Sequence, residues 1–259
     1  IQLGLELKKK NKGMKLKLLI TRPIEDAVEM SKLFNSKKIL PIISPMIKIR
    51  KEAYNYSIKP DIIILTSKNG VRNFDFSVDK NSKTKVLTLG EETRKLAREK
   101  GLENIKSVNG DTNSLIIELE KLINLQRTFL HPTSQIENKK LKFFFDSSSS
   151  NYIPVKCYTS VKHNENPLIF QNFMKDSRYS LISVFSSRTA ESLCNEIKEY
   201  NLSNFCKTKK VIVLSQAIKD KLDKLEFDEI FVTPKPNLES MIQKINYLVE
   251  REKKIESNK

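Results

Sequence analysis

The sequence predicts an α/β protein made of two similar, flavodoxin-like domains, each built on a parallel sheet. Ile62–Leu65 is an unbroken apolar, β-branched run, as in a strand buried on both faces, and the polar residues Thr66 and Ser67 follow it at the start of a helical pattern. The same order returns in the second half, where Ser187 stands 120 residues after Ser67. Alternating strands and helices predict parallel sheets flanked by helices, and the repeat predicts two of them.

The remaining elements of the first half follow at regular intervals after this turn. Residues 86–89 form a second predicted strand, which ends at Gly90 and leads into a helix that Gly101 closes. Ile105–Val108 is a third strand, and Asp111 begins an amphipathic helix after it. Two further strands are predicted for this half: residues 128–130 and 142–145.

The second half matches the first at a nearly constant offset. Residues 211–214 correspond to 86–89 at an offset of 125, and Leu238 corresponds to Leu115 at an offset of 123. The strands predicted for this half are residues 181–185, 211–214 and 230–232. A nearly constant offset across a whole series of elements indicates duplication of one domain.

The N-terminal segment adds a strand, a helix and a strand that the first repeat does not need. Leu16–Ile20 and Ile39–Ile43 are the strands, and Pro23 opens the helix between them, with Thr21 or Arg22 in the N-cap region. The apolar residues predicted to be buried in this helix are Ile24, Ala27, Val28, Met30, Leu33 and Phe34. Because residues 45–50 separate this segment from the first repeat, we expect it to complete the second repeat.

This placement predicts one discontinuous domain with the other inserted into it. Residues 45–50 and 153–162 become two antiparallel linker strands, and the cleft between the domains collects the strand ends of both. The predicted divisions are a disordered extension (1–14), domain 1 (15–44 plus 163–249), the linker strands (45–50 and 153–162), domain 2 (51–152) and a solvated tail (250–259).

The composition limits the classes of function. The net charge of +16 suits a polyanionic partner, but the lysines are spread along the chain without a recognition motif, so a general lysine bias explains most of the charge. We expect no nucleic-acid partner and no membrane partner. The cysteines Cys157, Cys194 and Cys206 fit no metal or redox spacing and indicate reduced thiols in a cytoplasmic protein. With only His131 and His163, both interpreted as structural or exposed, no metal site is predicted.

The polar turns at the predicted strand ends suggest an anionic ligand. In an open α/β sheet ligands bind at the carboxyl ends of the strands, and helix N-terminal amides attract anions there. Taken alone, such a turn is weak evidence and is more typical of a well-capped connection between a strand and a helix. The recurrence of the turn in both halves favours the binding interpretation.

Several segments in a fixed order carry a resemblance to a known family. They are Leu19-Ile20-Thr21-Arg22-Pro23, Ile64-Leu65-Thr66-Ser67-Lys68-Asn69-Gly70-Val71, Leu89-Gly90-Glu91-Glu92-Thr93, Gly110-Asp111, Val155-Lys156-Cys157-Tyr158 and Phe185-Ser186-Ser187. In this order and spacing the chain resembles the uroporphyrinogen-III synthase family over about residues 14–249. The resemblance implies two domains joined by a two-stranded linker, with the active site in the cleft.

The resemblance also implies a reaction. Linear hydroxymethylbilane, a polycarboxylate, loses its hydroxyl as water, inverts ring D through a spirocyclic intermediate and closes to uroporphyrinogen III in haem biosynthesis. No metal or organic cofactor is implied, and a monomer is expected. Departure of hydroxide requires a proton donor, and the resemblance places a linker tyrosine in that role, here Tyr158. A tyrosine that only packs there is the competing interpretation.

The substrate-binding residues that follow from this resemblance lie in the polar turns. They are Thr21, Arg22, Thr66, Ser67, Lys68, Asn69, Thr93, Ser186, Ser187 and Ser215. The turn Ser215-Gln216-Ala217-Ile218 departs from the family, which has a glycine followed three residues later by a threonine. Ser215 can still cap a helix, but Ile218 has no hydroxyl, so no binding role is carried over to it.

Two other functions remain as alternatives at this point. The fold would equally suit a non-catalytic, two-domain protein that binds an anionic ligand. The positive charge alone would suit a nucleic-acid-binding protein, which salt-dependent binding to duplex DNA would reveal.

Overall fold

The computed structural model describes residues 15–34, 38–77, 84–123, 127–136, 138–163, 166–176 and 179–257. The expected extension 1–14 lies outside this part of the chain. The described residues form two compact units. Unit 1 comprises those up to Lys48 and those from Lys162 on, and unit 2 is Ile49–Val161.

The described elements alternate between strands and helices. The strands are β1 (Leu16–Ile20), β2 (Ile39–Ile43), β3 (Ile47–Lys51), β4 (Ile62–Leu65), β5 (Lys85–Leu89), β6 (Ile105–Val108), β7 (Thr128–Ser134), β8 (Asn151–Lys162), β9 (Ser180–Val184), β10 (Lys210–Val213) and β11 (Glu229–Val232). The α-helices are α1 (Ile24–Lys32), α2 (Lys68–Asn73), α3 (Glu91–Glu99), α4 (Thr112–Glu120), α5 (Lys139–Asp146), α6 (Pro167–Lys175), α7 (Ser187–Glu199), α8 (Gln216–Leu222) and α9 (Leu238–Ser257). A 3₁₀ helix spans Ser203–Thr208.

Unit 1 is a five-stranded sheet with the order β11-β10-β9-β1-β2, and its strands pair in parallel. Numbered along the unit, this is the order 2-1-3-4-5 of flavodoxin-like sheets. Alternate residues of each strand face opposite layers: Leu19 packs with Phe170 and Leu193 on one face, whereas Leu18 packs with Met30 and Met241 on the other. The predicted parallel α/β fold is therefore confirmed for this sheet.

Unit 2 contains a six-stranded sheet with the order β3-β8-β7-β4-β5-β6. Strands β4 to β8 here occupy the places that β9, β10, β11, β1 and β2 hold in the other sheet. Two layers of apolar side chains again cover the sheet, represented by Val71 and Phe74 on one face and Leu115 and Leu141 on the other. The repeat seen in the sequence thus corresponds to the same spatial order of strands in both sheets. The chain begins this order at a different strand in each unit.

Strand β8 belongs to this sheet over much of its length. Residues from Asn151 to Tyr158 pair in parallel with β7, and β3 lies beside β8 at the sheet edge. The segment 153–162, expected as a linker, therefore serves first as a sheet strand. Val155 and Cys157 are buried in the core of unit 2, in the same apolar layer as Val71 and Phe74.

Three local expectations are wrong. Residues 142–145 lie in helix α5, not in a strand, because Asn138 caps Leu141 N at 3.2 Å and Leu141 and Phe145 form one buried helical face. In α1, Ile24, Val28 and Leu33 are exposed, while the stripe of Ala27, Met30 and Phe34 is buried. Pro23 is the N-cap of α1 and not its first residue.

The C-terminal helix is longer than expected. Helix α9 continues to Ser257, through much of the segment assigned to a solvated tail. Glu250 pairs with Lys38 at 2.6 Å, and the Arg251 guanidinium pairs with Glu229 at 3.4 Å and lies 5.5 Å from the Phe231 ring centroid. These contacts hold the first residues beyond Val249 against unit 1. Within the described ranges, no helix combines the length and the apolar character needed to cross a membrane.

Candidate active site

The polar residues Thr66 and Ser67 follow β4, where β4 lies between β5 and β7. The chain leaves β4 toward β5 on one side and later returns through β7 on the other, so the turn lies at a topological switch point. Ligands of open α/β sheets bind at such points. Both side chains are half-buried, as are Lys68 and Asn69 after them.

Ser67 is the N-cap of helix α2. Its Oγ accepts hydrogen bonds from Asn69 N at 3.2 Å and Gly70 N at 3.4 Å, as expected for a serine that caps a helix. Gly70 is required here because a Cβ at this position would lie 2.6 Å from the Pro132 carbonyl oxygen. The turn is therefore packed directly on the end of β7.

Tyr158 is brought to this turn by an irregularity in β8. Thr133 pairs with Lys156 but Ser134 pairs with Tyr158, so β8 has one extra residue and its side-chain alternation is interrupted. As a result Cys157 and Tyr158 are both buried. The Tyr158 phenol oxygen lies 3.1 Å from Ser67 Oγ. This tyrosine is therefore part of the unit 2 core, whereas it was expected on a linker outside either core.

The direction of the Ser67–Tyr158 hydrogen bond follows from the partners of Ser67. Since two backbone N–H groups occupy the acceptor side of its Oγ, the serine hydroxyl is placed to donate to the phenol oxygen. In that case the phenolic proton of Tyr158 is not used in the hydrogen bond with Ser67. A phenol held in this way can act as a proton donor toward a bound ligand.

A second polar chain begins at Thr66. The Thr66 hydroxyl lies 2.9 Å from His131 Nε2, and His131 Nδ1 lies 2.7 Å from the Tyr152 phenol oxygen. His131 is 1% exposed, and this burial lowers the pKa of its imidazole to about 4, so the ring is neutral near pH 7. The histidine thus joins the ends of β4 and β7 through uncharged hydrogen bonds.

His131 and Tyr152 were missed as site residues from the sequence. The available signal was that His131 follows the apolar end of a predicted strand, at the position where ligand-binding side chains collect. Nothing in its spacing indicated Thr66 as a partner, since the two residues are 65 positions apart. Thr93, in contrast, was among the substrate-binding residues predicted from the sequence. Its side chain is 5% exposed in α3, after the exposed pair Glu91 and Glu92.

In unit 1 the corresponding turns follow β1 and β9, which are neighbours in the sheet. Thr21, which was expected to bind substrate, is fully buried in the structure, and its hydroxyl donates to the Ser183 carbonyl at 2.6 Å. Ser183 in turn donates to the Leu19 carbonyl at 3.0 Å. Thr21 therefore links two strands.

Arg22 has its guanidinium held by two groups of the same unit. It pairs with Asp26 at 2.7 Å and lies 4.4 Å from the centroid of the Phe185 ring. Ser186 caps α7, accepting from Thr189 N at 3.2 Å, and Ser187 is half-buried beside it. A cation and a capped helix start thus meet at the switch point of this sheet.

The turn after β10 differs from its expected role. Ser215 occupies the N-cap position of α8, but its side chain makes no capping hydrogen bond to this helix. Ile218 is 4% exposed and packs in the core of unit 1. Ile218, which stands where the family has a threonine, therefore makes apolar contacts in the core.

The cysteines of the described chain are free thiols. Burial raises the pKa of Cys157 and of Cys206 to about 11, so both are protonated near pH 7. Desolvation also raises the pKa of Cys194. None of these thiols is suited to act as a nucleophile.

Comparison with known proteins agrees with the fold and identifies the family. The crystal structure of uroporphyrinogen-III synthetase from Helicobacter pylori has a TM-score of 0.58 and 14% identity, covering 91% of this chain and 100% of that chain. A mutant uroporphyrinogen III synthase from Thermus thermophilus has a TM-score of 0.53 and 14% identity, covering 91% and 99%. At this identity the two structures show the fold alone. No curated protein matches the sequence. The family model described as uroporphyrinogen-III synthase HemD matches residues 28–243, most of the chain, which therefore belongs to the uroporphyrinogen-III synthase family.

Proposed function

We propose that this chain cyclises hydroxymethylbilane to uroporphyrinogen III, with loss of water and inversion of ring D. The family match supports the reaction. The observation on the chain itself that carries the proposal is the Tyr158 phenol, 3.1 Å from Ser67 at the switch point of the unit 2 sheet.

Tyr158 acts in this proposal as the proton donor to the departing hydroxyl. The leaving group takes the phenolic proton and departs as water, and the cationic azafulvene that remains is attacked by ring D. Ser67 stabilises the phenolate that forms, because its hydroxyl is placed to donate to the phenol oxygen. The proton returns to Tyr158 when the macrocycle is complete.

The polar turns bind the carboxylates of the substrate in this proposal. In unit 2 these are Thr66, Lys68 and Asn69, all half-buried in the turn after β4. Ser67, whose hydroxyl donates to the Tyr158 phenol oxygen, contributes by capping helix α2 and so orienting this turn. In unit 1, Arg22 retains further N–H donors beyond the one that pairs with Asp26, and Ser186 and Ser187 stand at the start of α7. Thr93 and Ser215 stay as weaker members of the set, and Thr21 is withdrawn from it.

The wider arrangement rests on the resemblance to the family. We propose that the linker strands 45–50 and 153–162 join two domains, 15–44 plus 163–249 and 51–152. The active site lies in the cleft between these domains, in a cytoplasmic monomer without a cofactor.

A coupled assay tests the function directly. Hydroxymethylbilane made enzymatically is added to the chain, and the type I and type III isomers are separated after oxidation to porphyrins. Spontaneous closure occurs without ring inversion and gives only type I, so type III is a product of catalysis. We expect type III to predominate. The alternative, a non-catalytic anion-binding protein, predicts type I alone, and that result would refute the proposal.

A further inference from the structure

We propose that His131 is a positioning residue for the substrate: its Nε2–H donates to Thr66 Oγ1, so that the threonine hydroxyl proton is directed to a substrate carboxylate. This inference rests on the proposed function and deepens it. It assigns a role to a buried histidine that makes no contact with the substrate itself.

A continuous series of hydrogen bonds passes through the imidazole of His131. His131 lies in β7 and has both ring nitrogens occupied, by Thr66 at 2.9 Å and by Tyr152 at 2.7 Å. The Tyr152 ring stacks on Phe145 with centroids 4.3 Å apart, which fixes its phenol against the imidazole. Among the described residues, His131 is the hydrogen-bond partner of the Thr66 hydroxyl.

The tautomer of His131 sets the direction of these hydrogen bonds. A neutral imidazole has one N–H donor and one acceptor nitrogen, so the chain runs either from Tyr152 to Thr66 or the reverse. The phenol is the more acidic hydroxyl and therefore the better donor, and 2.7 Å is a short distance that fits O–H donation to Nδ1. The 2.9 Å separation at Nε2 is ordinary for N–H donation to oxygen.

The direction of these hydrogen bonds determines where the hydroxyl proton of Thr66 goes. When Nε2–H donates to Oγ1, the threonine oxygen is the acceptor and its own proton must go elsewhere. Thr66 is half-buried at the carboxyl end of β4, beside Ser67. The proton is thus available to a carboxylate that binds at this turn, whereas the opposite tautomer would consume it within the protein.

The tautomer can be measured in the full chain without any ligand. Long-range proton–nitrogen spectra of the ¹⁵N-labelled imidazoles distinguish the two neutral forms, and the chain has only two histidines. A His163→Gln variant assigns the signals. We expect His131 to be neutral with its proton on Nε2; a proton on Nδ1 would overturn the proposal.

Two substitutions of His131 test its effect on the substrate. A glutamine amide reaches the place of Nε2 and can donate to Thr66, whereas an asparagine amide reaches only the place of Nδ1. We expect His131→Asn to raise KM about fivefold, the loss of one hydrogen bond of about 1 kcal/mol, with kcat within about twofold of wild type. His131→Gln should restore most of the affinity.

A double-mutant cycle separates positioning from a general structural role. Thr66→Val should raise KM by the same factor as His131→Asn, and adding His131→Asn to it should cause no further rise, because the histidine acts through Thr66. Equal effects of His131→Asn in both backgrounds, or equal KM values for the two His131 variants, would overturn the proposal. Wild-type chain that gives only type I product would instead refute the proposed function and the substrate contact, while the NMR result would still decide the tautomer.

Discussion

At the scale of single residues, the proposed donor role of Tyr158 gives the clearest prediction for catalysis. Tyr158→Phe keeps the ring that packs in the unit 2 core and removes only the phenol oxygen. General acid catalysis contributes about 10²–10⁴ in rate, so we expect kcat to fall by at least about 10², with KM little changed and more type I product. The loss of the contact with Ser67 should lower the free energy of unfolding by about 1 kcal/mol.

The control for this variant is Tyr247→Phe, the same chemical change at a tyrosine that is 57% exposed on α9. It should leave both activity and stability unchanged. A well-folded Tyr158→Phe chain with near-normal turnover would remove the donor role and leave positioning of the substrate as the source of catalysis. Steady-state kinetics and isomer analysis, with urea unfolding beside them, distinguish these outcomes.

His131 makes stability depend on pH in a predictable direction. Its pKa is lowered from 6.5 to about 4 in the folded chain, so between these values the unfolded chain binds more protons. Stability is therefore fully present above pH 6.5 and declines as the pH falls toward 4, by about 1.4 kcal/mol per pH unit from this group. His131→Gln should lose this part of the slope. Urea unfolding of both chains at several pH values tests it, and parallel curves would contradict it.

From the sequence, the chemical types of the candidate site residues could be predicted better than the contacts that their side chains make. Ser67 and Tyr158 were both chosen, and they do lie within hydrogen-bond distance. Thr21 has the same chemistry as Thr66, but its hydroxyl donates to a neighbouring strand. The chemistry of a threonine cannot reveal which of these two roles it has, because the partner is distant in the chain.

At the scale of elements, the turn after β4 depends on the close packing of α2 on β7. Gly70→Ala would place a Cβ 2.6 Å from the backbone oxygen of Pro132, so the helix start must shift. Overpacking of this kind costs about 1–3 kcal/mol, and it should also raise KM because Ser67 and Lys68 move with the helix. Urea unfolding and steady-state kinetics measure both effects.

Gly90→Ala is the matched control for this change. Gly90 has a φ of +82° and a ψ of 153°, a conformation that is nearly exclusive to glycine, with nothing within 4 Å of an added Cβ, so its cost is backbone strain alone, about 1–3 kcal/mol. A Gly70→Ala chain as stable as wild type would show that α2 is not closely held by β7.

Strands and helices could be predicted where the apolar residues followed a single pattern along the segment. Strand β4 and the part of β10 after Lys210 are continuous apolar runs, and β9 is fully buried although Ser183 interrupts its apolar residues; all three strands were located well. Residues 142–145, which include three consecutive phenylalanines, were assigned to a strand, yet burial of Leu141 and Phe145 follows a helical spacing. The extra residue in β8 has no counterpart in composition, so the position of the Tyr158 side chain could not be derived from alternation.

At the scale of the whole molecule, the repeat explains why the N-terminal segment stands apart from the first repeat. The two sheets share one spatial order of strands, and Leu16–Ile20 pairs with Ser180–Val184, which lies far away along the chain, as well as with Ile39–Ile43. Offsets between equivalent residues revealed the duplication, whereas the starting strand of each unit depends on pairing between distant segments.

The net charge of +16 also acts at this scale. Long-range attraction between a cationic protein and a polycarboxylate raises the rate of association, and salt screens it as the Debye length falls from about 10 Å at 0.1 M to about 3 Å at 1 M. We expect kcat/KM for hydroxymethylbilane to fall about tenfold between low salt and about 0.5 M salt, while kcat stays constant because the bound state is reached before the chemical step. Sucrose at equal osmolality is the control and should have little effect. A kcat/KM that does not respond to salt would show that the lysines reflect composition alone, and tight, steeply salt-dependent binding of duplex DNA in the same buffers would favour a nucleic-acid partner instead.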